Sequence, residues 1–328
     1  MLNEIASVFQ TNQIGVETVE GTSVAANRLL GAMSFRSSIN AETQMFRPDG
    51  QKFNTVAAPG REWATHQLQG QPTYTEIVYP LAGLLENVTP TTAGTTGRLW
   101  TFSPAHNTAD AVASFTLQQG DANRARRFAG LRIGGLTLDF SRRGVTMQGN
   151  AISRAVEDDF GTMTASPTQL ALLPVLGQHV NFYLASTHAG LASADPMNRG
   201  FKFSWAMSNR FSPVWPVQRA SASYAAMVEL APQLQCRLTA AADDEGMGLL
   251  ANLRAGSTLF VRAQAVGDLI EAGHNYTLQV DTALKVTSAS ELRDQDGVVS
   301  VEWTLEAVRD SVWGQATEIQ VKNAIAAL

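Results

Sequence analysis

Five histidines could titrate or bind a metal near neutral pH: His66, His106, His179, His188 and His274. No two of them have the H-x-x-x-H spacing that gathers imidazoles on one helix face, so ordinary strand and loop positions are expected rather than a zinc or catalytic site. A serine nucleophile would need a G-x-S-x-G elbow, and the chain has none; the glycines of "AGLRIGGL" lack the Lys-Ser/Thr of a phosphate loop and read as a bulge. The carboxylates Glu157, Asp158 and Asp159 in "VEDDFG" could hold a cation or form a solvated turn. "DDEGMG" reads as a helix start, and Asp294 and Asp296 in "RDQDG" resemble a calcium-loop fragment without the downstream ligands, which leaves a hairpin turn. With no convergent acid/base pair, neither an enzyme, a cofactor nor a metal is expected. Arg124, Arg126 and Arg127 form a basic cluster without interleaved aromatics, suited to an acidic neighbour or an inter-subunit contact and poor as a nucleic-acid site.

The composition points the same way. A formal charge of -5, from 24 basic and 29 acidic residues, argues against tight phosphate binding. Charged residues are only 16% of the 328, so the surface is suited to meeting other protein. The lone Cys236 alternates with Leu234 and Leu238 and is expected buried in a strand, with no disulfide and a reducing compartment of synthesis. "MLNEIASVFQTNQIG" lacks the charged start and long apolar run of a secretory signal, and no apolar window is long enough for a membrane helix, so neither is expected.

Period-2 alternation dominates the regular parts. Val299, Val301, Trp303, Leu305 and Ala307 share one predicted face, with Ser300, Glu302, Thr304 and Glu306 on the other. Tyr276, Leu278 and Val280 oppose Thr277, Gln279 and Asp281 in the same way, and the intervening "DQDGVV" predicts a hairpin. In the first half Leu131 and Ile133 alternate, the phase slips at Gly134-Gly135 as a bulge would make it, and Leu136, Leu138 and Phe140 continue to a turn at "SRRG". Each half also has a short helix upstream of its hairpin, itself preceded by a strand. "TYTEIVYPLAGLLENV" carries an apolar stripe, a Thr73/Glu76 capping box and a Pro80 that could kink or break it; "DDEGMGLLANLRAG" runs from acids to Arg254 and Gly256.

The order strand, helix, strands, long hairpin therefore occurs twice. The Thr/Gly/Pro-rich stretch 87–110 reads as a loop insertion into the first occurrence. The expected organisation is a first domain over 1–160, a linker over 161–177 and a second domain over 178–328, with a final strand and tail at the C-terminus packing on a neighbour. A long loop at 41–62 is expected to expose Met45, Phe46 and Phe53 among polar residues, as a contact surface does.

"GVETVEGTSVAANRLL" (15–30), "FRPDGQKF…PGREW", "YTEIVYPLAGLL" and "FAGLRIGGLTLDFSRRGVTMQGNAI" together resemble the major tail tube protein of long-tailed, siphovirus-type bacteriophages in order and character over about residues 12–160. The second half resembles it through the repeated layout. The resemblance implies a mainly β fold: two β-sandwich or half-barrel units, each with one flanking short α-helix, completing a β-barrel on oligomerisation. It implies a structural virion protein whose rings stack into the hollow tail tube, the conduit for DNA ejection. A β-rich carbohydrate-binding or adhesin-type module is the alternative.

The implied partners are the chain itself, the tape-measure protein in the lumen, tail terminator and distal tail proteins at the ends, and DNA in transient, non-specific passage, with no membrane. Two units per chain imply a trimeric, pseudo-hexameric ring; a hexamer of two-domain subunits is the other arrangement. Location would be the virion tail after synthesis in the host bacterial cytoplasm. The N-terminal clip (1–30) and the 41–62 loop would join rings, the loop through Met45, Phe46, Arg47, Asp49, Lys52 and Phe53. Lumen-lining positions would be Thr137, Asp139, Gln148 and Asn150 from the first hairpin and Gln279, Asp281, Ser300, Glu302, Thr304 and Glu306 from the second, giving an acidic channel.

Overall fold

Alternating β-branched, aromatic and polar residues form strands through most of the chain, 53% of which is strand, and two short α-helices interrupt them; the protein is mainly β. The computed structural model describes residues 7–121, 123–217 and 221–328, the side chains of residues 7 and 158–160 excepted. The first-half strands are β1 (Thr11–Val16), β2 (Arg28–Leu30), β3 (Met33–Phe46), β4 (Val56–Gly70), β5 (Thr91–Thr92), β6 (Arg98–Phe102), β7 (Phe115–Gly120), β8 (Ala125–Ser141), β9 (Gly144–Ser153), β10 (Val156–Gly161) and β11 (Thr168–Gln169). Then follow β12 (Val180–Ala185), β13 (Gly200–Ser208), β14 (Phe211–Val214), β15 (Ala226–Glu229), β16 (Gln233–Ala241), β17 (Leu259–Glu271), β18 (His274–Ala289), β19 (Arg293–Gln295), β20 (Val298–Ala307) and β21 (Thr317–Asn323). Helix α1 (Val78–Leu84) follows β4 and α2 (Asp244–Ala255) follows β16.

The strand pairings of one half recur in the other. In the first, β1 pairs with β7, β7 with β8, β8 with β9, β9 with β4, β4 with β3, and β10 with β8, all antiparallel. In the second, β12 pairs with β17, β17 with β18, β18 with β20, β20 with β16, β16 with β13, and β21 with β18. The halves are joined edge to edge by β8 and β13, which gives one antiparallel sheet in the order β3-β4-β9-β8-β13-β16-β20-β18. Its apolar side covers one continuous core that holds Leu68, Phe128, Leu138, Phe203, Trp205, Leu238 and Trp303.

The two helices differ as their sequences require. α1 has no polar face, and all seven of its residues are buried beneath the sheet. Thr73 accepts the Glu76 backbone N–H at 3.0 Å, but the box is not reciprocal, because the Glu76 carboxylate turns to the Gly31 and Ala32 N–H groups at 2.7 and 3.0 Å. Pro80 stands at the third helical residue, where its missing N–H costs nothing, and it neither kinks nor breaks the helix. α2 is amphipathic and conventional: Asp243 caps it by accepting from the Gly246 N–H, and Gly256 ends it at φ 59°.

Several expectations need correction. The stretch 41–62 is the far end of the β3/β4 hairpin, paired to Phe46↔Val56 around a turn at 47–55, rather than a loop. The 87–110 insertion contains β6, whose "RLWTF" buries Trp100 and Phe102 and pairs with β21. The C-terminal strand β21 thus packs between β18 and β6 of its own chain, and the Trp100 indole N–H donates to Asn323 Oδ1 at 3.0 Å. The "DQDG" turn closes β19 onto β20, with Asp296 and Gly297 at φ 55° and 82°, and β18 pairs further along β20. The phase slip at Gly134 is a register shift between β8 and β9.

Candidate functional site

With the apolar side of the eight-stranded sheet on the core, alternation turns the other set of side chains to a single open face. Cross-strand register aligns them in rows. One row runs Ser34, Gln69, Gln148, Thr137, Ala206, Gln235, Glu306, Lys285, from β3 to β18. A second runs Thr146, Asp139, Ser204, Arg237, Thr304, and a third Ser141, Lys202, Thr239, Glu302. The strip β8-β13-β16-β20 forms a shallow groove floored by these short polar side chains. Opposite, Leu138, Trp205, Cys236 and Leu305 are buried, and burial pushes the Cys236 thiol pKa up, which makes it inert.

The face is not acidic. Asp139, Glu302 and Glu306 stand among Arg36, Lys202, Arg237 and Lys285; Lys202 lies 3.3 Å from Asp139 and Arg237 4.0 Å from Glu302. The sequence reading missed Lys202 and Arg237 because they sit on β13 and β16, outside the two hairpins from which the face was reconstructed.

Of the expected lumen positions, Thr137, Asp139, Gln148, Asn150, Glu302, Thr304 and Glu306 lie on β8, β9 and β20 with their side chains on this face. Asp281 does not: it is 1% exposed, held by Arg262 at 2.7 and 2.8 Å and by His188 at 3.1 Å. Gln279 beside it donates to Asp281 and accepts from Gln264. A satellite cluster of Leu191, Phe260 and Ala283, packed with Trp313, covers this part of β18. Ser300 is also buried and Val299 exposed, so the expected alternation of β20 holds only from Val301 onward.

The hairpin end places Met45, Phe46, Arg47, Asp49, Lys52 and Phe53 together at the sheet's edge, with Phe53 80% exposed. Its stem is braced by Arg61, bidentate to Glu42 and lying 5.1 Å above Trp215, whose ring meets Trp63 edge-on. Arg124, Arg126 and Arg127 stand at the β7/β8 turn. Arg124 and Arg126 line a polar cleft with Thr11, Asn12 and Arg36, and Arg127 pairs with Glu157 of its own chain at 3.6 Å. The side chains of Asp158 and Asp159, and residues 1–6 of the clip, lie outside the described residues.

Sequence reasoning missed one buried charged centre. Arg210 donates to the Leu84 and Leu85 carbonyls at 2.9 and 3.3 Å, to Glu229 at 2.5 Å and to Asp110. A second-half guanidinium thereby terminates the first-half helix, where the macrodipole favours a cation. Nothing in "SNRFSP" marks it, because its four partners come from three other segments. Among the described residues no group of three His, Cys, Asp or Glu side chains is gathered to hold a metal, and no helix is long and apolar enough to cross a membrane. No protein-family model matches the chain, and no curated protein matches it in sequence.

Proposed function

We propose that this chain is a self-assembling structural protein of the phage tail tube type, built from two tube-forming units in tandem. The observation that carries the reading is the repeated set of strand pairings joined edge to edge through β8 and β13 into a sheet with one dry and one polar face. Such a sheet extends by adding further units at its two ends. Closing it into a ring removes both edges, which an isolated chain would leave as aggregation sites.

Three copies bring six four-stranded units. At about 4.8 Å between strands and a tilt near 40°, the 24 strands close at a backbone diameter of roughly 45–50 Å, far too wide for side chains to fill. The polar face then lines a channel, and the α1 and α2 layers lie outside it. Rings would stack through the exposed β3/β4 hairpin ends. The adhesin alternative is less well supported, since every tryptophan and tyrosine is buried or half-buried and none is exposed on the sheet face.

Negative-stain electron microscopy and sedimentation of the purified protein test the reading. Rings or hollow tubes are expected; a strictly monomeric species at high concentration would overturn it.

A further inference from the structure

Two sets of exposed apolar residues lie at opposite ends of the eight-stranded sheet, and the repeated pairings say what each lacks. The helix caps fix the correspondence, because Thr73 and Asp243 each accept the N–H three residues on. Counting back from the caps equates Gly70 with Ala240, and their partners across the ladder equate Met147 with Val301 and so Val145 with Val299. The turns agree independently: two residues separate Ser141 from Gly144, and two separate Gln295 from Val298.

Val145 is buried, yet Val299 is 56% exposed, and Leu292 beside it 60%. The difference lies in what covers them. In the first half, the Val145 N–H donates to the Val175 carbonyl, a 3-10 turn at Gly177–His179 follows, and β13 pairs with β8 so that Phe203 packs on Phe140. At the second-half end nothing corresponding is present among the described residues, and residues 285–295 have a strand partner on one edge only.

The counterparts of the cover stand uncovered at the other end of the same chain. A 3-10 turn, Ser7–Phe9, precedes β1 as Gly177–His179 precedes β12, and its Phe9 is 70% exposed. Strand β3 corresponds to β13 and pairs only with β4 among the described residues. Its exposed Ile39, opposite Ala64, matches the buried Met207, opposite Leu234. The two ends do not pair with each other within the chain: six strands lie between them, and among the described residues β3 pairs only with β4 and residues 285–295 only with β20.

The geometry points to a second copy of this chain as the partner: the β3 edge and the Ser7–Phe9 turn of one copy dock on the 285–299 end of the next, repeating between chains the β8–β13 junction within each. This rests on the self-assembly reading and specifies the surface by which copies meet. The correspondence also sets the register, because Met207 pairs with Leu136 and their counterparts are Ile39 and Ala289, which should face each other across the junction.

Two variants test it beside the wild type. Leu292→Asp with Val299→Asp changes only exposed side chains, so the thermal melt should be unchanged, while the concentration needed for assembly should rise about tenfold or more. Ile39→Cys with Ala289→Cys should give interchain disulfide ladders on mild oxidation, because Cβ atoms directly opposite each other are within reach of a disulfide and the native Cys236 is buried. If the wild type assembles, the Asp variant assembles equally and the Cys pair gives no ladder, the junction is wrong and the self-assembly reading survives. If the wild type stays monomeric and the Cys pair gives no ladder, both fall.

Discussion

His66 should make the fold acid-sensitive, and its two hydrogen bonds show how to isolate the effect. The ring is buried between Ser37 Oγ, 2.6 Å from Nδ1, and Ser153 Oγ, 2.8 Å from Nε2, with Phe128 edge-on at 4.9 Å. Ser153 spends its own hydroxyl proton on the Arg154 carbonyl at 3.0 Å, so it accepts from Nε2–H, and Nδ1 accepts from Ser37. The neutral ring is therefore satisfied on both sides, and burial lowers its pKa from 6.5 to about 3. A depressed folded-state pKa means that the unfolded chain takes up the proton first as the pH falls. The stabilisation is fully present above pH 6.5 and is lost as the pH drops toward 3, by up to about 1.4 kcal/mol per pH unit. By about pH 4.5 the loss is roughly 2–3 kcal/mol, a large share of a stability of about 5–15 kcal/mol. His66→Gln retains one donor and one acceptor but cannot titrate. Urea denaturation of both proteins, in the same assembly state, at about pH 7.5 and 4.5 should find the variant weaker by about 1 kcal/mol at the higher pH. At the lower pH the gap should close and reverse. Parallel pH profiles for the two proteins would refute the reasoning, since every other titrating group cancels in the comparison.

Two further outcomes follow from the geometry. Arg210→Met leaves Asp110 and Glu229 without their cation and the end of α1 without its donor, and should cost about 3–5 kcal/mol in denaturant unfolding; adding Asp110→Asn and Glu229→Gln should recover much of that loss. Replacing residues 47–55 by a two-residue Asn-Gly turn should leave the melt within about 0.5 kcal/mol of wild type and permit rings but abolish long tubes, read by electron microscopy, whereas unaltered tube lengths would remove the hairpin end from ring stacking.

The alternating segments were legible because each buries one face on a core, so the period of hydrophobicity and the period of the backbone coincide. Val301–Leu305, Leu136–Phe140 and the slip at Gly134 could all be read from sequence for that reason. "RLWTF" carries the same signal but was masked by its Thr/Gly/Pro-rich surroundings, and the 41–62 hairpin was hidden because both faces of its far end are exposed and nothing enforces alternation. Asp281 obeyed the period and still misled. A polar residue on the outward side of a strand becomes buried when another segment covers it, and only the fold brings the Trp313 and Leu191 segments there. The correspondence of His66 with Cys236, each seven residues before its helix cap, was equally invisible: the two residue types share no chemistry beyond filling a buried strand position.

The balance of charge on the sheet face bears on what a channel lined by it could do. An acidic wall would repel a polyphosphate but also repel itself, since carboxylates on adjacent strands would stand about 5 Å apart. On the proposed reading the chain avoids that cost by splitting the work. The first-half strands present mostly amides and hydroxyls, Gln69, Gln148 and Thr137, with one cation, Arg36, and one carboxylate, Asp139. Lys202 stands against Asp139 across the β8–β13 junction, and Arg237 and Lys285 against Glu302 and Glu306, so each of these three cations has an acidic neighbour in the same chain and is not free to condense on passing DNA. Retention along a polyanion scales with the number of phosphates that unpartnered cations neutralise. A wall whose cations are already partnered keeps that number low without accumulating like charge. The pairing of cations with carboxylates, more than negative charge, is therefore the property by which this face would let a nucleic acid slide.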